Sequence, residues 1–253
     1  MLADTMRSIR RIAAVAAATA CLAWGAPPAL ADVTISDAGG PLTGLAFDQQ
    51  SSRLFAVSET GGTNIAVADA TGGKIGDISF SADTESLQGL AVHSGSLYVG
   101  DVGDSRGKRG KITVYKLPLE VGNQSYSSYD FRYPDGAHDA KSVLVSGRGR
   151  IYVVTAGENP GIYYAELEPS RSGVNKLSRA SDAPAGVTDG VFLSDGVTMA
   201  LRTGSGVQVV DASSWETRAT LTYQGAPEGE SITTFSGDKL LVGAGPQLRE
   251  EAV

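Results

Sequence analysis

Four polar residues, Gln88, Lys141, Asp189 and Glu230, stand at matching places in a phrase that recurs along the chain, and Glu85 lies just upstream of the first. Carboxylates and amide oxygens brought together from such places could hold a hard cation such as Ca²⁺, which takes six to eight oxygen ligands. Asp189 and Glu230 are the carboxylates placed to ligate it, and Lys141 opposes the cation unless it swings away or pairs with one of them. Asp101 and Asp104 belong to a loop dense in Asp and Gly, Asp101-Val102-Gly103-Asp104-Ser105-Arg106-Gly107. It too could offer oxygen ligands, but it lacks the spacing and distal Glu of an EF-hand, and tight turns favour the same residues. In Asp135-Gly136-Ala137-His138-Asp139 an imidazole sits beside carboxylates, which suits either a general base or an ion pair that orders a solvated loop. Arg106, Lys108, Arg109 and Lys111 form a basic cluster that could handle phosphate, or simply be the solvated edge of a hairpin.

Other chemistries lack their parts. His93 and His138 are the two histidines, and no Gly-x-Ser-x-Gly elbow occurs, so a serine triad has little to build on. Zinc would need an H-E-x-x-H helix or a short-spaced pair, and neither is present. Thr60-Gly61-Gly62 and Thr71-Gly72-Gly73 have strand-like runs on both sides and read as hairpin turns, not phosphate loops.

The elements that must position these groups are strands. From Asp32 onward, apolar residues come in short runs of period two, rich in Val, Ile, Leu and Tyr and bounded by Gly, Asp, Ser and Asn, and no amphipathic helix emerges. One phrase repeats: a polar residue, a small residue, an apolar strand, a turn and a second apolar strand. It starts at Thr43, Gln88, Lys141, Asp189 and Glu230, at spacings of 45, 53, 48 and 41 residues. That is the length of a four-stranded propeller blade, and the intervals hold further strands such as Ile65–Ala68 and Val207–Val210. The expected fold is therefore all-β, a five-bladed β-propeller with a six-bladed count as the alternative, and a sandwich or barrel of unrelated strands as the rival. The small residue fits the axis, where inner strands converge and large side chains would collide. Residues at the starts of those strands should crowd around one funnel. After Val242-Gly243 no third or fourth strand is evident, so the last blade reads as incomplete, with Val33-Thr34-Ile35-Ser36 the natural donor for closure.

Leu97-Tyr98-Val99-Gly100-Asp101-Val102-Gly103-Asp104, Arg132-Tyr133-Pro134-Asp135-Gly136, His138-Asp139-Ala140, Val187-Thr188-Asp189-Gly190 and Gly229-Glu230-Ser231-Ile232 resemble a family of secreted actinobacterial β-propeller proteins with WD40-like repeats. That family is distantly similar to SdiA-regulated and phytase-like propellers. The resemblance covers nearly the whole chain after residue 31 and implies the fold, whereas function does not follow from fold. Two departures stand out. Asp139-Ala140-Lys141 replaces the family's Asp-Ala-Glu, and the family continues through a complete last blade.

Arg7, Arg10 and Arg11 precede an apolar run from Ile12 to about Trp24, followed by Ala29-Leu30-Ala31, the pattern of a signal peptide cleaved before Asp32. A lipoprotein anchor at Cys21 and a twin-arginine signal at Arg10-Arg11 are the rival readings. The run is too short to span a bilayer. Cleavage removes three of the 21 Lys and Arg and one of the 28 Asp and Glu, leaving a net charge of −9 and no cysteine. Nucleic acid and anionic membranes are then poor partners. The functional expectation is a secreted, non-enzymatic propeller that binds a protein, peptide or cell-wall-associated ligand on its funnel face, with Glu85, Gln88, Asp101, Asp104, His138, Asp139, Lys141, Asp189 and Glu230 as candidates. The alternative is a calcium-dependent hydrolase of phosphoester or lactone bonds.

Overall fold

The computed structural model describes residues 32–35, 38–58, 62–223, 230–237 and 239–253; residues 1–31, which carry the expected signal peptide and Cys21, lie outside the described residues. Twenty-two strands form five sheets around one axis, a five-bladed β-propeller with no helix among the described residues. The inner strands are Leu42–Asp48, Leu87–His93, Ala140–Val145, Val187–Phe192 and Ser231–Phe235. Each packs on the next, and the last packs back on the first, which closes the ring. Val, Ile, Leu and aromatic side chains alternate outward from the sheets and fill the gaps between blades. Five apolar layers result, one in each gap, such as Phe55 and Ile65 of the first blade with Leu90 and Leu97 of the second. Trp215 joins the layer between the third and fourth blades, 6.3 Å from the Tyr152 ring.

The small residue at the axis has the steric cause anticipated for it. A Cβ on Gly44 would fall 2.8 Å from the carbonyl carbon of Gly89, and one on Gly89 would fall 2.4 Å from the amide of Val143. Gly89 also holds φ +82°, a conformation that penalises any side chain.

Two expectations need correcting. The last blade is complete: Ser231–Phe235, Lys239–Ala244 and Gln247–Ala252 are its inner three strands, and Asp32–Thr34 supplies the outermost. Gln247-Leu248-Arg249-Glu250-Glu251 hid its strand character behind charge. Those charges are neutralised across and along the sheet, where Glu250 pairs with Lys239 and Glu251 with Arg249, while Leu248 enters the core. The second correction is one of register. Thr43, Gln88 and Lys141 each occupy a bulge in the ladder, and in the fourth blade the bulge lies between Val187 and Asp189, at Thr188. Thr188 therefore matches Thr43, and Asp189 matches Gly44 and Ser142. A one-residue slip moves a side chain to the other face, so Asp189 points where glycine or serine stands in the other blades.

Candidate functional site

The bulges and the loops that precede them build the mouth of the ring. Asp101, at the end of Ser96–Asp101 and 2 % exposed, accepts the backbone N–H groups of Glu85 and Ser86 at 3.1 and 2.8 Å. It also takes both arms of the Arg109 guanidinium, at 3.0 and 2.9 Å. This two-toothed pairing is the strong geometry for Arg and carboxylate. Arg109 further donates to the Gly103 carbonyl at 3.1 Å and stands 3.5 Å from the Glu85 carboxylate. Burial alone would lower its pKa, but Asp101, Glu85 and Asp104 outweigh that and raise it.

Asp104 turns its carboxylate onto the N–H groups of Lys108 and Arg109, at 3.0 and 2.7 Å, which fixes the loop from inside. Its own N–H donates to Asp139 at 2.8 Å, and the other Asp139 oxygen lies 3.1 Å from Lys141 Nζ. Lys141 thus pairs with Asp139, not with Asp189 or Glu230. Three carboxylates in succession, Asp101, Asp104 and Asp139, tie residues 85–86, 101–110 and 139–141 into one frame. The Asp- and Gly-rich loop is a turn first, and its oxygens are engaged by the protein itself.

The frame encloses an open cavity of about 450 Å³. Glu85, Gln88, Asp104, Asp139 and Lys141, five of the nine residues singled out by sequence, line it together with Arg109. Gly103 keeps the wall thin, since a Cβ there would meet the Ser86 hydroxyl at 2.3 Å. Gln88, raised on its bulge, holds its amide 3.5 Å from the same hydroxyl. The cavity therefore offers amide, carboxylate, ammonium and guanidinium groups side by side. Such a surface suits a ligand with many hydrogen-bonding groups of both kinds.

The remaining candidates lie elsewhere. His138 does not line the cavity: its Nε2 is 3.0 Å from Asp135 and 3.1 Å from the Tyr163 hydroxyl, which donates to Asp135 at 2.9 Å. Tyr133 packs edge-on against both rings. Burial pushes Tyr163 up to about 12 and raises Tyr133 as well, so both phenols stay protonated. Glu230 accepts the Gly245 N–H at 3.0 Å, within its own blade.

Asp189 is fully buried on the axis. Its carboxylate accepts from Ser142 Oγ of the third blade at 3.0 Å, Ile232 N of the fifth at 3.1 Å and Gly190 N at 2.8 Å, with the Leu45 backbone of the first adding a fourth bond. Burial pushes its pKa up to about 8, against the pull of those bonds. Calcium does not fit here, because the groups that surround the carboxylate are hydrogen donors whose positive ends would repel it. Among the described residues no three His, Cys, Asp or Glu side chains are grouped to hold a metal ion.

Arg109 is the cavity residue that sequence reasoning misplaced. Within Arg106, Lys108, Arg109 and Lys111 nothing local distinguishes it from a solvated edge, yet its side chain is 9 % exposed. The loop must close onto Asp101 before the four cations are sorted.

No protein-family model matches this sequence, and no curated protein aligns with it. Solved structures do resemble it. A chain of the nidogen/laminin complex is 15 % identical with a TM-score of 0.52, over 80 % of this chain and 72 % of that one. A gluconolactonase from Xanthomonas campestris is 19 % identical with a TM-score of 0.52, over 83 % and 71 %. A protein of unknown function from Bacteroides caccae is 10 % identical with a TM-score of 0.53, over 81 % and 70 %. These likenesses bear on the fold alone and agree that it is a β-propeller.

Proposed function

We propose that this chain is a secreted binding propeller whose ligand, a protein, a peptide or a cell-wall-associated molecule, docks over the cavity at the mouth of the ring. One observation carries the reading: three segments distant in sequence deliver Glu85, Gln88, Asp104, Asp139 and Lys141 to a single cavity of about 450 Å³. Their frame is already tied by Asp101–Arg109 and Asp139–Lys141. Binding to such a pre-ordered surface avoids much of the entropy lost when loops must be fixed. Secretion is supported by the Arg-rich, apolar opening and the Ala29-Leu30-Ala31 motif. The fold's use in the nidogen/laminin complex offers a precedent for a partner that is itself a protein.

Binding of the exported protein to peptide arrays, glycan arrays and isolated cell-wall fragments, beside Lys141→Met and Gln88→Ala, tests the reading. Loss of a wild-type signal in both variants, with their melting temperatures unchanged, is the expected result. A signal untouched by either variant would move the ligand away from this cavity.

A lactonase or phosphoesterase is the second reading, favoured by the gluconolactonase among the structural relatives and by Asp139 facing the cavity beside Lys141. Turnover of simple lactones or phosphoesters, abolished in Asp139→Asn, would replace binding by catalysis.

A further inference from the structure

Beside the axial cavity, and sharing Glu85, Asp104, Arg106 and Arg109 with it, lies a second recess of about 460 Å³ between the loop 104–111 and the end of strand Ser127–Arg132. Five cations and two carboxylates line it, on a chain whose formal net charge is −7. The partners of these charges matter more than their number. Arg109 is engaged by Asp101 and Glu85, and Lys111 is held by Asp130 at 2.6 Å. Asp104, a residue 8 % exposed, turns its carboxylate onto two backbone N–H groups. Among the described residues Arg106, Lys108 and Arg132 form no ion pair, and all three are exposed. Two come from the loop and one from a neighbouring strand, so they approach the recess from different sides.

A solvated hairpin edge would leave such side chains on a mobile tip. Here the backbone beneath them is fixed three times, by Asp104 onto residues 108 and 109, by Arg109 onto Asp101 and by Asp139 onto residue 104. Cations held apart on a fixed frame, with no carboxylate of their own, match an anion that has several oxygens to share among them. A tetrahedral oxyanion has that shape, and the planar guanidinium fork of Arg suits its edges.

We propose that this recess binds a phosphate or sulfate group carried by the ligand of the funnel. The inference rests on the funnel being a ligand site, and it names the chemistry of the group lying at its blade-two side.

Calorimetric titration of the exported protein at low ionic strength, with inorganic sulfate and with a simple phosphate monoester as probes, tests it. Both are expected to saturate, and combining Arg106→Gln, Lys108→Gln and Arg132→Gln should weaken them at least about tenfold, because salt-sensitive charge attraction carries most of the binding. Arg148→Gln, in the turn at the far end of the third blade, should bind as wild type. The two sources separate by pH. The monoester loses its second proton near pH ~6, so a phosphate site tightens several-fold between about pH 5 and 7.5, whereas sulfate affinity stays level. A monoester stronger than sulfate at the higher pH assigns a phosphoryl ligand, and the reverse assigns a sulfate ester. Absence of saturation with both probes, or unchanged affinity in the triple variant, overturns the inference. If array ligands still dock while both probes fail, the funnel reading survives and only this inference falls; saturable anion binding with no docked ligand keeps the recess as an anion site but overturns the funnel reading, and with it the claim that the anion is carried by the funnel's ligand.

Discussion

Asp101 and Asp189 are both aspartates withdrawn from water, at 2 % and 0 % exposure, yet they occupy opposite electrostatic worlds. Asp101 meets the Arg109 guanidinium as well as two backbone N–H groups, and its charge is answered by a charge. Asp189 meets only neutral dipoles, from strands of four blades, and its pKa rises to about 8. The first arrangement sets opposite charges against each other and can frame an open, charged cavity. The second acts as a central pin that joins blades around a buried axis. What an aspartate does in this protein is decided by whether a cation can reach it.

Removing the pin should have the largest consequence. Asp189→Ala takes the acceptor from the buried N–H groups of Gly190 and Ile232 and leaves the Ser142 hydroxyl only the Gly190 carbonyl, and the loss is expected to be roughly 3–5 kcal/mol in chemical denaturation. Asp189→Asn keeps the shape and one acceptor oxygen, and should lose less. A loss below about 1 kcal/mol for alanine would mean that the axis is held by packing and not by this residue.

Arg109→Leu strands Asp101 as a buried charge, and a loss of about 3 kcal/mol is expected. Unlike the axial variants, it should also abolish ligand docking, because residues 85–86 and 103–109 lose their shared anchor. Full docking in a destabilised Arg109→Leu protein would separate the frame from the site.

The comparison also predicts a pH dependence. Because the folded Asp189 carboxyl titrates at about 8 and the unfolded one near 3.8, folding retains a proton that the unfolded chain has released. Its stabilising contribution is complete below 3.8 and is lost as pH climbs through 8, with a slope of at most about 1.4 kcal/mol per pH unit. Asp130, Asp195 and Asp211, whose pKa values are lowered, act with the opposite sign. The difference between wild type and Asp189→Asn isolates the axial group. Parallel stability profiles for the two proteins from pH 4 to 9 would remove Asp189 from the account.

At the outer limit of the cavity lies Glu85, whose side chain is 64 % exposed. Its pairing with Arg109 is screened by water, so Glu85→Gln should change stability by less than about 1 kcal/mol. A larger effect would show that the charged frame extends farther into solvent than the geometry indicates.

Much of the architecture was legible in the residues. The recurring phrase marked the five inner strands, and the glycines at positions 44 and 89 announced the close approach at the axis. Strand Gln247–Ala252 escaped notice because its charged residues suggest a solvated tail; partners on Lys239–Ala244 make it a strand. Asp189-Gly190 imitates the polar-small opening of the phrase and so points, in the sequence, to the funnel. Aligning Thr188 with Thr43 would have given the true register, a signal present in Val187-Thr188 beside Leu42-Thr43.

The chain by itself determined the period, the fold class and the polar residues that open the inner strands. These follow from local chemistry: strand alternation, turn residues and the lack of a Cβ where backbones meet. Which carboxylate would find a cation was settled only by the tertiary structure. Asp101 must reach Arg109 eight positions on, and Asp139 must reach Asp104 thirty-five positions back. A single bulge at Thr188 then decides that Asp189 faces the axis. Charge pairing acts over a few ångströms of space, and a distance along the chain says nothing about it until the blades have closed.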